Sequence, residues 1–294
     1  MYLTGFADEA ATDLAGQIRA TRLLGWRHIE SRAIDNVNIH DLPDAAFDRA
    51  CAQLEEAGVR VNCFGSTIAN WGKDIRQPMD VDLAQARRAI PRMQRLGARL
   101  IRIMSYAVIP DVLPQEQMAE ERFRRVDCLT RLFLDAGIQP VHENCMNYGG
   151  MGWTFTRRLL DAVPGLKLVF DTGNPVFTRD RTRPEPYPFQ SSWEFYSHVR
   201  EFVAYVHIKD GRMDPATGQA VYTWPGEGDA EVARICQDLI RCGYDGGISI
   251  EPHMAAVFHD PAAAGNSPAR FDNYVEYGRR MEKLLRDLGA RLAP

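Results

Sequence analysis

Four short apolar runs in the second half of the chain constrain its fold most. They are IQPVHEN (138–144), LKLVFDTGN (166–174), FVAYVHIKD (202–210) and GISIEPH (247–253). A buried apolar run of this length reads as a strand of a parallel sheet. Each carries a polar group where the strand should exit: Glu143, Asp171, His207 and Glu251. Three carboxylates and one imidazole at successive strand ends form a ligand set for a single divalent metal, provided the fold brings those ends together.

The rest of the chain supplies such a fold. Strands are expected at 2–6, 26–30, 59–64, 100–104, 138–143, 166–171, 202–207 and 244–251. Helical patterns lie between or after them at 13–24, 44–57, 80–96, 116–136, 153–163, 193–201, 230–242 and 271–288, with Pro91 expected to kink the third helix or mark a register change. Helix-to-strand connections are short and marked by Gly25, Gly58, Gly97, Gly137, Gly165 and Gly243, whereas the long polar connections follow strands. This asymmetry predicts an α/β fold, a (β/α)8 TIM barrel, as a single domain over 1–294, with functional loops on the C-terminal face. A doubly wound sheet is the alternative, but it does not need eight regular units. The proline-rich loop 175–192 is long enough to be functional or mobile, and its RDRTR segment reads as a substrate contact, a subunit contact or a solvated face.

Composition narrows the function classes. Apolar residues at 45% and charged residues at 25% are ordinary for a soluble globular chain, and a net charge of -4 gives no reason to expect nucleic acid as a partner. Six cysteines without a CxxC pair read as free thiols in a reducing compartment. There is no basic-then-apolar leader and no apolar run long enough for a membrane span, so the expected location is the cytoplasm, with no membrane partner.

Strand parity sharpens the clustering. Alternation puts Val141 with Glu143, Val169 with Asp171, Tyr205 with His207 and Ser249 with Glu251 on one side, and turns Ile248 and Ile250 toward the helices. Lys209 follows His207 inward, and Glu30 shares a side with His28. Three adjacent carboxylates require a cation or basic groups to neutralise them. Of the other histidines, His142 has the opposite parity and should pack outward. His253 follows Pro252 and is open between a substrate contact and structure. His28 reads as a satisfied core group near the foot of its strand, and His259 lies too far into a loop to place.

Glu30 in HIESR, Gly65-Ser66 and Lys73 after the third strand, Glu143, FDTGN, His207-Ile208-Lys209-Asp210, PGEG and SIEPH together resemble the sugar phosphate isomerase/epimerase superfamily, the xylose-isomerase-like TIM barrels. The resemblance spans nearly the whole chain. It implies that Glu143, Asp171, His207 and Glu251 bind one divalent metal, with Mn²⁺ favoured and Mg²⁺, Co²⁺ or Zn²⁺ as alternatives. It also implies that Glu143 and Glu251 exchange a proton with carbon beside a carbonyl through an enediolate. Glu30, Lys73, Asn174, Lys209, His253, Arg212 and Glu227 become the expected contacts to a small sugar or polyol, and a homodimer or homotetramer is the implied assembly.

The chain departs from the ketose 3-epimerases at three positions. Asn174 replaces a His, Gly149 a Glu, and Met213 an Arg, although Arg212 is adjacent to the last. Isomerisation or epimerisation is the first expectation. The alternative is a lyase or dehydratase acting on a keto-inositol or a 3-keto-glycoside, which also begins with proton loss beside a carbonyl. Metal-dependent hydrolysis of the barrel-endonuclease kind would need more histidines and a basic groove. A non-enzymatic binding barrel would show a collapsed quartet.

Overall fold

The computed structural model describes residues 1–254 and 268–293. His259 lies outside the described residues. Eight strands form one sheet: β1 (Tyr2–Gly5), β2 (His28–Ser31), β3 (Arg60–Gly65), β4 (Leu100–Ile103), β5 (Gln139–Glu143), β6 (Lys167–Asp171), β7 (Val203–Ile208) and β8 (Gly247–Ile250). Their hydrogen-bonded order is β1-β8-β7-β6-β5-β4-β3-β2, parallel throughout. A bridge between Phe6 and Glu30, just past β1 and within β2, draws the two edges together. The result is a nearly closed TIM barrel.

Helices pack outside it: α1 (Leu14–Leu23), α2 (Asp44–Ala57), α3 (Asp80–Leu96), α4 (Ala119–Asp135), α5 (Trp153–Ala162), α6 (Ser192–Val199), α7 (Val232–Arg241) and α8 (Pro268–Asp287). In α4 the buried side chains include Phe123, Val126, Leu129 and Phe133, a helical stripe that lies against the sheet. Asp13 caps α1 by accepting from the Gly16 amide at 2.8 Å. Gly58 and Gly97 end α2 and α3 at φ 64° and 67°, backbone that costs a residue with a side chain about 1 kcal/mol or more. Pro91 neither ends nor divides α3. It sits on the exposed face of the helix.

The alternation predicted from sequence holds along the strands. Cys63, Val141, Val169 and Tyr205 fill the barrel's interior, while Leu168, Phe170, Val206, Ile248 and Ile250 belong to the outer layer under the helices. His142 also faces outward, its Nε2 3.0 Å from Ser105 Oγ. His28 is a correction. It is half-buried against Tyr2, and its Nδ1 has no hydrogen-bond partner among the described residues.

Loop 175–192 is tied down. It opens with a helical turn (Asn174–Phe177), pairs Arg179 with Phe189, and donates from the Gln190 amide group to the Gly150 carbonyl at 2.8 Å. Arg183 of the RDRTR segment pairs with Glu194 at 2.7 Å on the surface. Two short hairpins, Ala33–Ile34 with Val37–Asn38 and Gly211–Met213 with Ala220–Tyr222, lie inside connections that the sequence reading left as loops. No helix among the described residues is long and apolar enough to cross a membrane.

Candidate active site

The ends of β5, β6, β7 and β8 bring Glu143, Asp171, His207 and Glu251 together, with one ligand atom from each lying within 4.8 Å of the others. The FDTGN turn explains how Asp171 is aimed. Its Oδ1 accepts from the amides of Gly173 at 2.8 Å and Asn174 at 2.7 Å, and the Asn144 side chain clamps its backbone from β5. Oδ2 is therefore left facing the barrel axis. Glu143 is fixed from both sides. Asn174 Nδ2 donates to its Oε1 at 3.2 Å, and the Arg102 guanidinium lies 3.1 Å from Oε2. Glu251 is held by Arg32 at 3.0 Å and Lys209 at 3.1 Å.

His207 is oriented from beneath. Glu30 lies 3.0 Å from Nε2 and is itself held by Ser249 Oγ, which donates to it at 2.6 Å. Glu30 engages Nε2, so Nδ1 is the ring atom turned toward the three carboxylates, 3.6 Å from Glu143 and 4.0 Å from Asp171 and Glu251.

The electrostatics fit a divalent cation. Asp8, Glu9, Glu30, Glu143, Asp171 and Glu251 are all buried here, against Arg32, Arg102 and Lys209. Burial pushes the Asp171 carboxyl up to about 7 against the pull of Lys209. Burial likewise opposes ionisation of Glu143, but Arg102 overcomes it and holds the group down at about 2. Glu251 also stays well below the usual carboxylate range because Lys209, His253 and Arg32 outweigh its burial. Burial opposes the imidazolium of His207, yet Glu30 and Glu143 raise it to about 10. Glu143 Oε2, Asp171 Oδ2 and His207 Nδ1 are buried without a hydrogen bond among the described residues, and ion pairs alone engage the two oxygens. One nitrogen and three carboxylate oxygens converging on one point make a donor set that suits a hard divalent ion.

The sequence profile of the xylose isomerase-like TIM barrel family matches residues 18–274. The chain belongs to that family. Solved structures agree on the fold. The IolI protein with a zinc atom is 12% identical, with a TM-score of 0.74 over 99% of this chain and 100% of its own. A D-tagatose 3-epimerase-like protein is 14% identical, with a TM-score of 0.70 over 98% of each chain. The probable 3-DHS dehydratase AsbF, involved in petrobactin synthesis in Bacillus anthracis, is 13% identical, with a TM-score of 0.69 over 96% of this chain and 99% of its own. No curated protein sequence matches the chain.

In this xylose isomerase-like barrel the remaining expected site residues separate clearly. Asn174, Lys209 and His253 line a cavity of about 180 Å³ above the quartet. Glu30 lies below the quartet, fully buried under His207, so its carboxylate does not line the cavity. Lys73 is drawn away by Asp82 and by Gln85 Oε1, the latter at 2.5 Å. Arg212 stands opposite Val221, between Ala220 and Tyr222, which do line the cavity; the two-residue period turns it outward. Glu227 is exposed and pairs with Arg280 at 3.1 Å. The working part of PGEG is its backbone, because Asp210 accepts from the amides of Gly226 and Gly228 at 2.8 and 3.1 Å.

Sequence reasoning missed Asp8, Glu9, Arg32 and Arg102. Arg32 bridges Asp8, Glu9 and Glu251, joining the first two strand exits to the last. The Phe6 ring lies beneath both guanidiniums, 4.3 Å from that of Arg32 and 5.1 Å from that of Arg102. Gly149 could not carry the epimerase-like glutamate without rearrangement, since a Cβ there would lie 2.3 Å from the His142 ring.

Proposed function

We propose that this protein is a divalent-metal-dependent isomerase or epimerase that moves a proton on carbon beside the carbonyl of a sugar or related polyol. The observation that carries the reading is the pair of buried glutamates, Glu143 and Glu251, on either side of Asp171 and His207 in one convergent ligand set. Glu143, Asp171, His207 and Glu251 would hold the ion, with Mn²⁺ favoured by the oxygen-rich set. A bound divalent ion would supply Lewis-acid polarisation of the carbonyl and its neighbouring hydroxyl.

The chain's own groups provide the proton chemistry. One glutamate takes the proton from carbon, leaving an enediolate. For epimerisation the other glutamate enters the turnover protonated and delivers its proton to the opposite face, so the two carboxyls end with exchanged protonation; for isomerisation the glutamate that took the proton returns it to the adjacent carbon while the hydroxyl proton passes between the two oxygens. Arg102 and Asn174 keep Glu143 ionised and aimed, and Lys209 offers an ammonium to developing oxyanion charge.

A lyase reading has one specific support. Lys209 and His253 flank Glu251, giving a proton donor for a leaving group beside a base. Incubating the Mn²⁺-loaded protein with a ketose panel in D₂O distinguishes the two accounts. Epimer or isomer carrying solvent deuterium supports the first. Loss of water or an aglycone selects the second.

A further inference from the structure

Phe6 is fully buried, yet it belongs neither to the apolar layer under the helices nor to the apolar cluster inside the barrel. Its ring meets the supports of the quartet instead. The Arg32 guanidinium lies 4.3 Å from the ring centroid and that of Arg102 5.1 Å, while the His207 ring meets it edge to face at 4.9 Å. The end of β3 makes room for this arrangement. A Cβ on Gly65 would lie 2.5 Å from the Phe6 ring and 3.0 Å from the Arg32 Cβ.

The two guanidiniums are held unequally. Arg32 meets three carboxylates, Asp8 at 2.8 Å, Glu9 at 3.3 Å and Glu251 at 3.0 Å. Arg102 meets one, Glu143 at 3.1 Å, and donates from Nη2 to the Ser66 carbonyl at 3.3 Å. Its Nε is buried with no hydrogen-bond partner among the described residues. A guanidinium carries five N–H donors and loses its hydration on burial, so these contacts compensate it poorly. Arg32, drawn to the same ring, adds the repulsion of a like charge. The electron-rich face of Phe6 opposes both effects, and its attraction for a cation is strongest where water is excluded.

We infer that Phe6 is a positioning residue whose ring face holds the Arg102 guanidinium against Glu143 and so keeps that carboxylate aimed into the quartet. Its part in proton transfer rests on the reading above; its hold on Arg102 does not. A leucine at this position would fill similar space but present no π-face, and Arg102 would keep only its single carboxylate and the carbonyl.

The test replaces Phe6, in the full chain, with mono-, di- and trifluorinated phenylalanine, which drain the ring face stepwise with little change of shape. Two quantities are followed: hydrogen exchange at Arg102 Nε–H by NMR in the Mg²⁺-loaded protein, and deuterium wash-in, with Mn²⁺ bound, into the member of the ketose panel that exchanges fastest. Exchange at Nε should rise and wash-in should fall in the same order, each by about tenfold across the series. Phe6→Leu should move both at least as far. The same fluorinations at Phe133, a buried ring of α4 with no arginine over it among the described residues, should move neither. Nε exchange that stays flat across the Phe6 series, or that responds equally to fluorine at Phe133, would overturn the inference and leave the proton-transfer reading standing. A fall in wash-in with flat Nε exchange would likewise overturn it, by placing the effect of the ring on His207. If the parent protein shows no wash-in from any ketose with the ion bound, the proton-transfer reading fails, and the Nε exchange series alone decides whether Phe6 holds Arg102.

Discussion

Glu30 Oε2 and His207 Nε2 lie 3.0 Å apart in the fully buried interior, although the two residues come from β2 and β7. That contact settles which imidazole nitrogen faces the carboxylates. Glu30→Gln weakens the hold on the ring and removes its charge. Metal affinity, measured by calorimetry, should fall by about 10- to 100-fold while the circular dichroism spectrum is retained. Unchanged affinity would mean that Glu30 does not position His207 for the metal.

Glu143→Gln keeps the size of the side chain and most of its contacts but cannot take a proton. Solvent exchange into substrate should drop by about 10²- to 10⁴-fold. Ion binding should weaken less severely because three ligands remain. A rate near that of the parent protein would remove Glu143 from the acid/base role.

Asp210 links the HIKD and PGEG segments by accepting from four amides, those of Gly211, Gly226, Gly228 and Ala230. Asp210→Ala strands them and should cost about 2–4 kcal/mol in denaturant unfolding. Exposing Glu227 by Arg280→Ala should cost well under 1 kcal/mol, since that pair is on the surface. A reversal of this order would contradict the claim that PGEG works through its backbone.

His40 supplies a pH signature away from the quartet. Burial is the main force lowering it to about 4, and its Nε2 accepts from the Thr67 amide at 3.2 Å. Between an unfolded value of about 6.5 and the folded value near 4, the unfolded chain binds a proton that the native state excludes. The neutral His40 therefore contributes stability above that window, and the contribution falls away as pH drops through it, by on the order of 3 kcal/mol. His40→Gln should flatten this part of the stability profile relative to the parent; parallel profiles would show that His40 titrates normally.

Much of this arrangement was legible because strands alternate. Once Val141 and Tyr205 were assigned inward, Glu143 and His207 followed, and a short apolar run plus a glycine was enough to place each strand. Arg102 carried a signal that went unused: it shares the inward parity of Leu100 in LIRIM, so a charge had to enter the barrel. Arg32 was less readable, since its partners Asp8, Glu9 and Glu251 are joined only by closure of the sheet. Lys73 and Glu227 misled for a shared reason. A motif locates a backbone, while the side chain's direction depends on nearby partners such as Asp82 and Arg280.

The most direct test of the account follows deuterium wash-in beside a keto-sugar carbonyl while metal-stripped protein is titrated with Mn²⁺. The prediction is exchange that rises with occupancy, saturates at one ion per chain, and is lost in Asp171→Asn. Full exchange in the stripped protein, or no exchange from a panel of keto-sugars once one ion is bound at the quartet, would contradict it.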